Sequence, residues 1–254
     1  MIFTTKDIIT LDCLQKIIFF KNETHKALKK YYNENSILIV KIENELNEEF
    51  QKLKNEAGDE KLGELYSSWQ CDYQERYINF KNFVIKSLLL ATFSFFESFL
   101  LELARIGKEQ LGSKKEVSAI KGSDIEKPFK YLKRIIGIKL AERETQIMWN
   151  SIKDFQVIRN AIIHNNYLLF TPFNIKGLSK LKALQEKYSE ISLDNNNELS
   201  ISDMKYILNF VEIANLFLDQ VLKELNQRLI TREIKKSTIN TRIKVLWNKL
   251  ITKT

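Results

Sequence analysis

The residue types best suited to chemistry on a phosphate fall in one short segment, Arg159-Asn-Ala-Ile-Ile-His164. A guanidinium is permanently cationic and offers a planar fork of donors, which suits a phosphate and the charge that develops during a displacement. An imidazole, with an unperturbed pKa of about 6.5, can accept and donate protons near neutral pH. Because the 2′-hydroxyl of RNA is a built-in nucleophile, this pair suffices for strand cleavage by transesterification without a metal ion.

The spacing within this segment decides how the side chains could cooperate. Asn160 and His164 are four residues apart and share one face of a helix, whereas Arg159 lies about 140° around the helix from His164. A single rigid helix therefore cannot point both groups at one spot. A twofold axis that brings a second copy alongside would place two arginines and two histidines in one groove. The alternative is that both are surface or satisfied groups on a core helix.

Other catalytic and metal-binding groups are scarce. The chain has two histidines, His25 and His164, and two cysteines, Cys13 and Cys71, and none of the four has the close pairing that zinc motifs require. It also lacks a Gly-rich phosphate loop and a nucleophile elbow. We therefore expect neither a metal ion nor a cofactor.

The elements that must position the segment are predicted to be helices. The 254 residues include 44% hydrophobic residues, seven glycines and two prolines, too little turn punctuation for sandwiches or barrels. A helix over 141–165 carries the segment, and its expected buried residues are Ile147, Trp149, Ile152, Phe155, Ile158 and Ile162. The fold class is therefore all-α.

Two long helices are predicted before this one. The first runs over 22–55 and has an apolar stripe of Leu38, Ile42, Leu46, Phe50 and Leu53. The second runs over 66–106 and stops at Gly107; its second half is apolar almost all round, as in the central helix of a bundle.

The remaining elements are shorter or lie near the end of the chain. A loop over 107–124 leads into a short helix that Asp124 caps and Gly137 closes, and a helix over 178–187 follows the central segment. Two alternating runs over 191–201 predict a small β-hairpin insertion. Ser202 or Asp203 caps a further apolar helix, and a separate amphipathic helix forms the basic end.

The positive charge of the chain is concentrated at its end. Residues 228–254 hold eight cationic residues against Glu233 alone, which is +7 of the total net charge of +8. Such a segment either attracts a polyanion, such as RNA or an acidic membrane surface, or is an ordinary solvated helix face. The RNA-binding candidates are Arg228, Arg232, Lys235, Lys236, Arg242 and Lys244.

The cysteine count and the charge pattern also bear on location. Two cysteines are too few for a disulfide framework, and charged residues interrupt both the first twenty residues and the longest apolar stretch, 83–106. A signal peptide and a membrane span both need a longer uninterrupted apolar stretch. We therefore expect a cytoplasmic protein.

Arg159-Asn160-Ala-Ile-Ile-His164 resembles the Arg, polar residue, three residues, His signature of the HEPN superfamily. The aromatic and acidic stretch 94–100 and the stretch 126–137, followed by Trp149, resemble the order of elements in bacterial members. The resemblance covers about 83–225. It implies three parts: an N-terminal helical extension over 1–82, a HEPN-like bundle over 83–227, and a basic C-terminal helix over 228–254.

The resemblance also implies an activity, a site and partners. HEPN bundles dimerise face to face and form a metal-independent ribonuclease site, in which Arg159 and His164 would be the catalytic pair and Asn160 would help to arrange them. Many members are toxins or antiphage effectors held in check by a partner. One subgroup is regulated through a tyrosine two residues after the histidine, where this chain has Asn166, with Tyr167 one residue later.

Two further points stay open at the level of the sequence. Glu97, a carboxylate amid apolar residues, either orients Arg159 in the site or faces solvent or another group. The chain is expected to be a homodimeric endoribonuclease acting on RNA. The alternatives are a non-catalytic RNA- or nucleotide-binding module with the same fold and a regulatory partner protein.

Overall fold

The computed structural model describes the backbone of residues 5–57, 61–140, 142–165, 175–193 and 199–251, and the side chains of 15–57, 61–140, 143–163, 177–193 and 199–232. Within these residues seven α-helices and one two-stranded antiparallel hairpin form, which confirms the predicted all-α class with a small β-hairpin insertion. The elements are α1 Thr5–Glu56, α2 Leu62–Asp72, α3 Phe80–Leu111, α4 Glu126–Tyr131, α5 Glu142–Asn165, α6 Ile175–Lys187, β1 Ile191–Leu193, β2 Leu199–Ile201 and α7 Lys205–Ile251.

The chain divides into two compact units, and helices α1, α3, α5 and α7 contribute to both. The first unit comprises Met1–Glu23, Phe95–Trp149 and Ala214–Thr254, and the second comprises Thr24–Ser94 and Asn150–Ile213. Each unit draws on separated stretches because its contacts form between helices distant in sequence. The division into 1–82, 83–227 and 228–254 stays a prediction.

An aromatic cluster forms the core of the first unit. The ring of Phe217 on α7 lies 5.9 Å from Phe96 on α3, 5.4 Å from Phe129 on α4 and 5.5 Å from Trp149 on α5. Phe129 and Trp149 are themselves 4.1 Å apart. Large aromatic side chains bury more apolar area per residue than any others, so this cluster is a main source of stability for the unit.

A buried lysine joins α1 to α7 in the same unit. Lys21 is almost completely buried, and its Nζ donates to Asn215 Oδ1 at 2.7 Å and to Asp219 Oδ1 at 2.5 Å. A buried ammonium is costly unless it is paired and hydrogen-bonded. The two acceptors on α7 therefore determine where the early part of α1 can pack.

In the second unit, α1 buries residues at heptad spacing. Tyr32, Ile39 and Leu46 are buried, whereas Leu38 and Leu53 of the predicted stripe are exposed. The apolar stripe is therefore wider than the part of the helix surface that is buried. A ladder of rings with centroids 4.7 to 5.0 Å apart packs along this interface: Phe50, Trp69, Tyr73 and Tyr77.

The helix predicted over 66–106 is interrupted in the structure, and the observed helices extend beyond both of its predicted ends. A π-helical stretch, Tyr73–Asn79, separates α2 from α3, and α3 passes through Gly107 to Leu111. A Cβ at Gly107 would lie 3.1 Å from Ile136 Cγ1, so this glycine permits close packing inside the helix and does not end it.

Two predicted caps have different outcomes. Asp124 does not cap the short helix: the residue before α4 is Ile125, and it makes no capping hydrogen bond through its side chain. The helix continues as a π-helical turn, Leu132–Ile136, which Gly137 closes at φ 75°, as predicted. At the start of α7, Asp203 Oδ1 accepts from the backbone N–H of Lys205 at 2.7 Å, which confirms the predicted cap.

The basic end is helical, but it is not a separate helix. Helix α7 runs without interruption over Lys205–Ile251, so 228–251 form its C-terminal part. The boundary predicted near 227 is a change in charge with no glycine or proline to break the helix.

One helical stretch of the described residues, Leu62–Leu111, contains an 18-residue window that is apolar enough to cross a membrane, with a mean hydropathy of 1.7. Half of that window is buried inside the protein. Core helices of water-soluble proteins share this pattern, so the observation is weak evidence for a membrane span.

Candidate functional site

Helix α5 holds the predicted chemical segment near its C-terminal end. Ile152, Phe155, Ile158 and Ile162 are buried at three-to-four spacing, as predicted, whereas Ile147 is 60% exposed and was assigned wrongly. This apolar face fixes the rotation of the helix. It leaves Arg159 and Asn160 half-buried beside it.

Two side chains of the second unit are among the contacts of the Arg159 guanidinium. Its Nη1 donates to Asn160 Oδ1 at 3.0 Å, and its Cζ lies 5.6 Å from the centroid of the Phe93 ring on α3. A cation above an aromatic face is attracted by the negative charge of that face. The two contacts restrict a long side chain that would otherwise sample many rotamers.

The Phe93 ring is itself part of a stack. It lies 5.7 Å from Phe210 on α7, which lies 4.3 Å from Phe155 on α5, and Phe155 lies 4.6 Å from Tyr206. All of these side chains are buried. Arg159 therefore rests on a platform formed by three helices, and the platform residues are the site residues that sequence reasoning missed.

A polar group borders the other side of this stack. Asp154 Oδ2 accepts from Lys187 Nζ at 2.6 Å and from the Tyr188 hydroxyl at 3.0 Å, and the Tyr188 ring meets Tyr206 edge-on at 5.3 Å. Burial raises the pKa of both tyrosines, and the hydrogen bond to Asp154 raises the pKa of Lys187. Near neutral pH the tyrosines therefore stay protonated and Lys187 stays charged, so none of them is suited to proton transfer.

The hydroxyl of Tyr206 has no hydrogen-bond partner within the described residues, although it is buried. Leaving such a group unsatisfied costs about 1–3 kcal/mol. The ring still contributes to the aromatic stack under Arg159, which offsets part of that cost.

His164 lies in the last turn of α5, and its side chain is outside the described residues, as is the whole of Tyr167. On a regular helix, five residues separate Arg159 from His164 by about 7.5 Å along the axis and about 140° around it. The groove between two copies of the chain was predicted from this angular separation, and it stays a prediction.

Glu97 is half-buried on α3 and belongs to the first unit, whereas Arg159 belongs to the second. Its side chain has an interaction partner. Its assignment as the group that orients Arg159 stays a prediction.

Two of the predicted RNA-binding arginines lie near the ends of other helices. Arg232 donates to the carbonyl oxygen of Gln110, in the last turn of α3. The guanidinium of Arg228 lies over Gly137, where α4 and its π-helical turn end. Lys235, Lys236, Arg242 and Lys244 lie on α7, with side chains outside the described residues.

The other histidine of the chain lies beside an ion pair. His25 Nε2 lies 3.7 Å from Glu212 Oε2, and Lys29 Nζ lies 2.7 Å from Glu212 Oε1. Among the described residues, no three His, Cys, Asp or Glu side chains lie together as metal ligands would. A metal-free mechanism stays a prediction, since His164 and Cys13 fall outside that search.

Fold and site together define a helical protein with an Arg-Asn-x3-His segment on a core helix, whose arginine is held over an aromatic stack. Comparison with protein-family models, with curated proteins and with solved structures finds no match to this chain.

Proposed function

We propose that the chain is a metal-independent endoribonuclease of the HEPN type, which cleaves RNA by attack of the 2′-hydroxyl on the adjacent phosphate. Arg159 binds the scissile phosphate and stabilises the charge that develops on it. His164 transfers protons to and from the attacking and leaving oxygens. Asn160 orients Arg159, and the site is completed by a second copy of the chain.

The observation that carries this proposal is the geometry of Arg159. A surface arginine without a role usually extends into solvent, whereas Arg159 is half-buried, stacked on Phe93 and bonded to the side chain that follows it. Such restriction lowers the entropy lost when a guanidinium binds a planar or tetrahedral anion. His164 lies about 140° around the same helix, and a second copy of the chain related by a twofold axis would bring both groups into one groove.

The proposed biological role is that of a toxin or an antiphage effector, held in check by an antitoxin or another defence partner. Induced expression of the wild-type chain in a bacterial host should stop growth, because unrestrained RNA cleavage halts translation. The His164→Ala variant, expressed at the same level on an immunoblot, should be harmless.

The matched control for this experiment is Arg143→Ala, which removes an exposed cation from the same helix and should stay as toxic as wild type. Equal toxicity of wild type and His164→Ala would contradict the enzymatic proposal. It would favour a binding module or an effect of the fold itself.

Phe93 is expected to act as a positioning residue. Replacing it with leucine keeps most of the buried apolar volume but removes the ring face under Arg159, so cleavage should fall about 3- to 30-fold, the range of a partly buried cation–π contact. The loss should appear in kcat more than in KM if the arginine contributes mainly in the transition state.

Phe96→Leu provides the matched control, since Phe96 lies on the same helix and is equally buried, but packs in the aromatic cluster of the first unit. Both substitutions should lower the melting temperature to a similar degree. In an Arg159→Gln background, which has no cation over the ring, Phe93→Leu should have little further effect on cleavage. Equal losses of kcat in the two leucine variants would reduce Phe93 to a packing residue.

A further inference from the structure

A surface pocket in the first unit is lined by two cationic side chains, and one of them lies close to the backbone of a glycine. It has a volume of about 270 Å³ and lies between the segment after α4 and the middle of α7. The residues relevant to its chemistry are Gly137, Lys139, Glu224, Gln227, Arg228 and Thr231.

The guanidinium of Arg228 lies directly against the backbone of Gly137. A Cβ at that position would stand 3.2 Å from Nη2 of the arginine, and the φ of 75° further favours glycine. The glycine therefore permits the arginine to lie flat across the end of the helix. There the partial negative charge of the helix terminus attracts it.

Among the described residues, the cations of this pocket make none of the ion pairs or hydrogen bonds that usually occupy such side chains. Within the described part of the chain, neither Arg228 nor Lys139 makes a hydrogen bond or an ion pair with another residue. Glu224 stands four residues before Arg228, a spacing that allows a helical ion pair, yet the arginine turns towards Gly137 instead. Its fork of donors is therefore available to a ligand.

Arg232 is an arginine at a comparable place that does make a structural hydrogen bond. It lies one turn further along α7, approaches the helix-ending Gly112, and donates to the carbonyl oxygen of Gln110. Its donors serve to cap α3. Arg228 has the same approach to a helix-ending glycine without the hydrogen bond.

From these observations we infer that the pocket binds a phosphate group of an RNA backbone, away from the chemistry assigned to Arg159. The inference rests on the proposed function only for the identity of the polyanion. A guanidinium fork and an ammonium match the oxygens of a phosphate, and two cations against Glu224 leave the pocket positive. Thr231 and Gln227 add neutral polar groups at its edge.

The surroundings favour a chain of phosphates over a single one. Lys133 and Arg134 are exposed on the π-helical turn that precedes Gly137. The sequence after residue 232 is also strongly basic. A polyanion gains from every cation along its path and releases counterions at each phosphate that is neutralised, whereas a single phosphate contacts one pocket.

The test measures binding of a fluorescein-labelled single-stranded RNA of about 20 nucleotides to the full chain carrying His164→Ala, so that cleavage cannot interfere. Arg228→Gln and Lys139→Gln should each weaken binding several-fold at moderate salt. Each should also lower the slope of log Kd against the logarithm of the salt concentration by about one, as expected for a lost phosphate contact. Arg228→Lys should recover only part of the affinity, because it keeps the charge and loses the fork.

Two arginine controls separate a site from general electrostatics and from stability. Arg143→Gln removes an exposed cation of the first unit that lies outside the pocket and its basic surroundings, and it should change the affinity less than twofold. Arg232→Gln should lower the melting temperature, because it removes the cap of α3, while Arg228→Gln should leave the melting temperature within a few degrees of wild type.

The pocket assignment would be overturned if Arg228→Gln and Arg143→Gln had equal effects, or if Arg228→Gln bound RNA as wild type does. It would also be overturned if Arg228→Gln lost binding of a 5′-mononucleotide while its affinity for RNA stayed unchanged. Failure of the proposed function has a different signature: RNA would bind in the pocket, and no cleavage would occur in the chain that retains His164.

Discussion

Replacing either Arg159 or His164 with alanine should abolish metal-free RNA cleavage. Loss of a proton-transferring imidazole typically costs about 10²–10⁴ in rate. Loss of a cation that stabilises charge on the transferring phosphate costs about 10²–10³ or more. Because the proposed mechanism has the two groups act on the same transition state, the double variant should be little worse than either single variant.

The measurement is cleavage of a labelled RNA in EDTA, with the products resolved on a denaturing gel and their ends identified by mass spectrometry. Attack by the 2′-hydroxyl forms a bond from that oxygen to phosphorus as the bond to the 5′-oxygen breaks, so the upstream product ends in a 2′,3′-cyclic phosphate. A substrate with a 2′-deoxy residue at the cleavage site should be resistant.

Arg143→Ala is the matched control, since it removes an exposed arginine from the same helix and should retain wild-type cleavage. Arg159→Lys should be strongly impaired although it keeps the charge, because a lysine cannot reproduce the fork. Undiminished cleavage by Arg159→Ala and His164→Ala would point to a contaminating nuclease or to another site. Cleavage that requires a divalent metal would exclude the proposed mechanism.

The helix that carries Arg159 and His164 was predictable because several local signals agree. The spacing of Ile152, Phe155, Ile158 and Ile162 indicates a single buried face, and the observed α5 begins and ends within a residue of the predicted range. The start of α7 was predictable for the same reason, since Asp203 directly precedes a strong apolar period.

The sequence is less informative where an apolar stripe is wider than the surface that covers it. Leu38 and Leu53 belong to the same stripe as Leu46, yet only Leu46 is buried. Periodicity indicates which side of a helix is apolar, but the partner helices decide which strip of that side is covered. Ile147 was assigned wrongly for the same reason.

Glycine has two uses that a single sequence does not distinguish. Gly137 ends a helix at positive φ, whereas Gly107 sits inside α3 to admit Ile136. The difference lies in a contact between segments distant in sequence. The platform under Arg159 was missed for a related reason: its rings come from α3, α5 and α7, and no local pattern indicates that they meet.

The first residues of the basic end also take part in packing, which the net charge of the segment does not indicate. Leu229 is buried, and Arg232 caps α3, so the first residues of this segment belong to the first unit. A truncation that starts at Arg228 would remove both. RNA binding by the end of α7 is therefore better examined by charge substitutions than by deletion.

The largest effect on stability is expected for Phe210→Ala. Phe210 is fully buried, and its ring stacks between the rings of Phe93 and Phe155 within the platform under Arg159. Removing a buried phenylalanine leaves a cavity and costs about 3–5 kcal/mol in the free energy of unfolding. That is a large share of the stability of a typical domain.

Urea denaturation followed by circular dichroism measures this cost as a shift of the midpoint at constant slope. Phe83→Ala is the matched control, because it is the same substitution on α3 at a side chain that is 66% exposed, and it should change the free energy of unfolding by about 0.5 kcal/mol or less. A cost below about 1 kcal/mol for Phe210→Ala would show that the stack is not a tightly packed core.

The comparison with Phe93→Leu then separates folding from catalysis. Well below its melting temperature, Phe210→Ala should remain largely folded. Phe93 would still lie under Arg159, but the space behind its ring would be vacant. Any loss of cleavage per folded molecule would then come from looser packing of the rings under Arg159. Phe93→Leu is expected to show the reverse balance, with a smaller cost in stability and a direct effect on the guanidinium. If cleavage in both variants simply tracked the folded fraction, the aromatic stack would stabilise the unit without positioning Arg159.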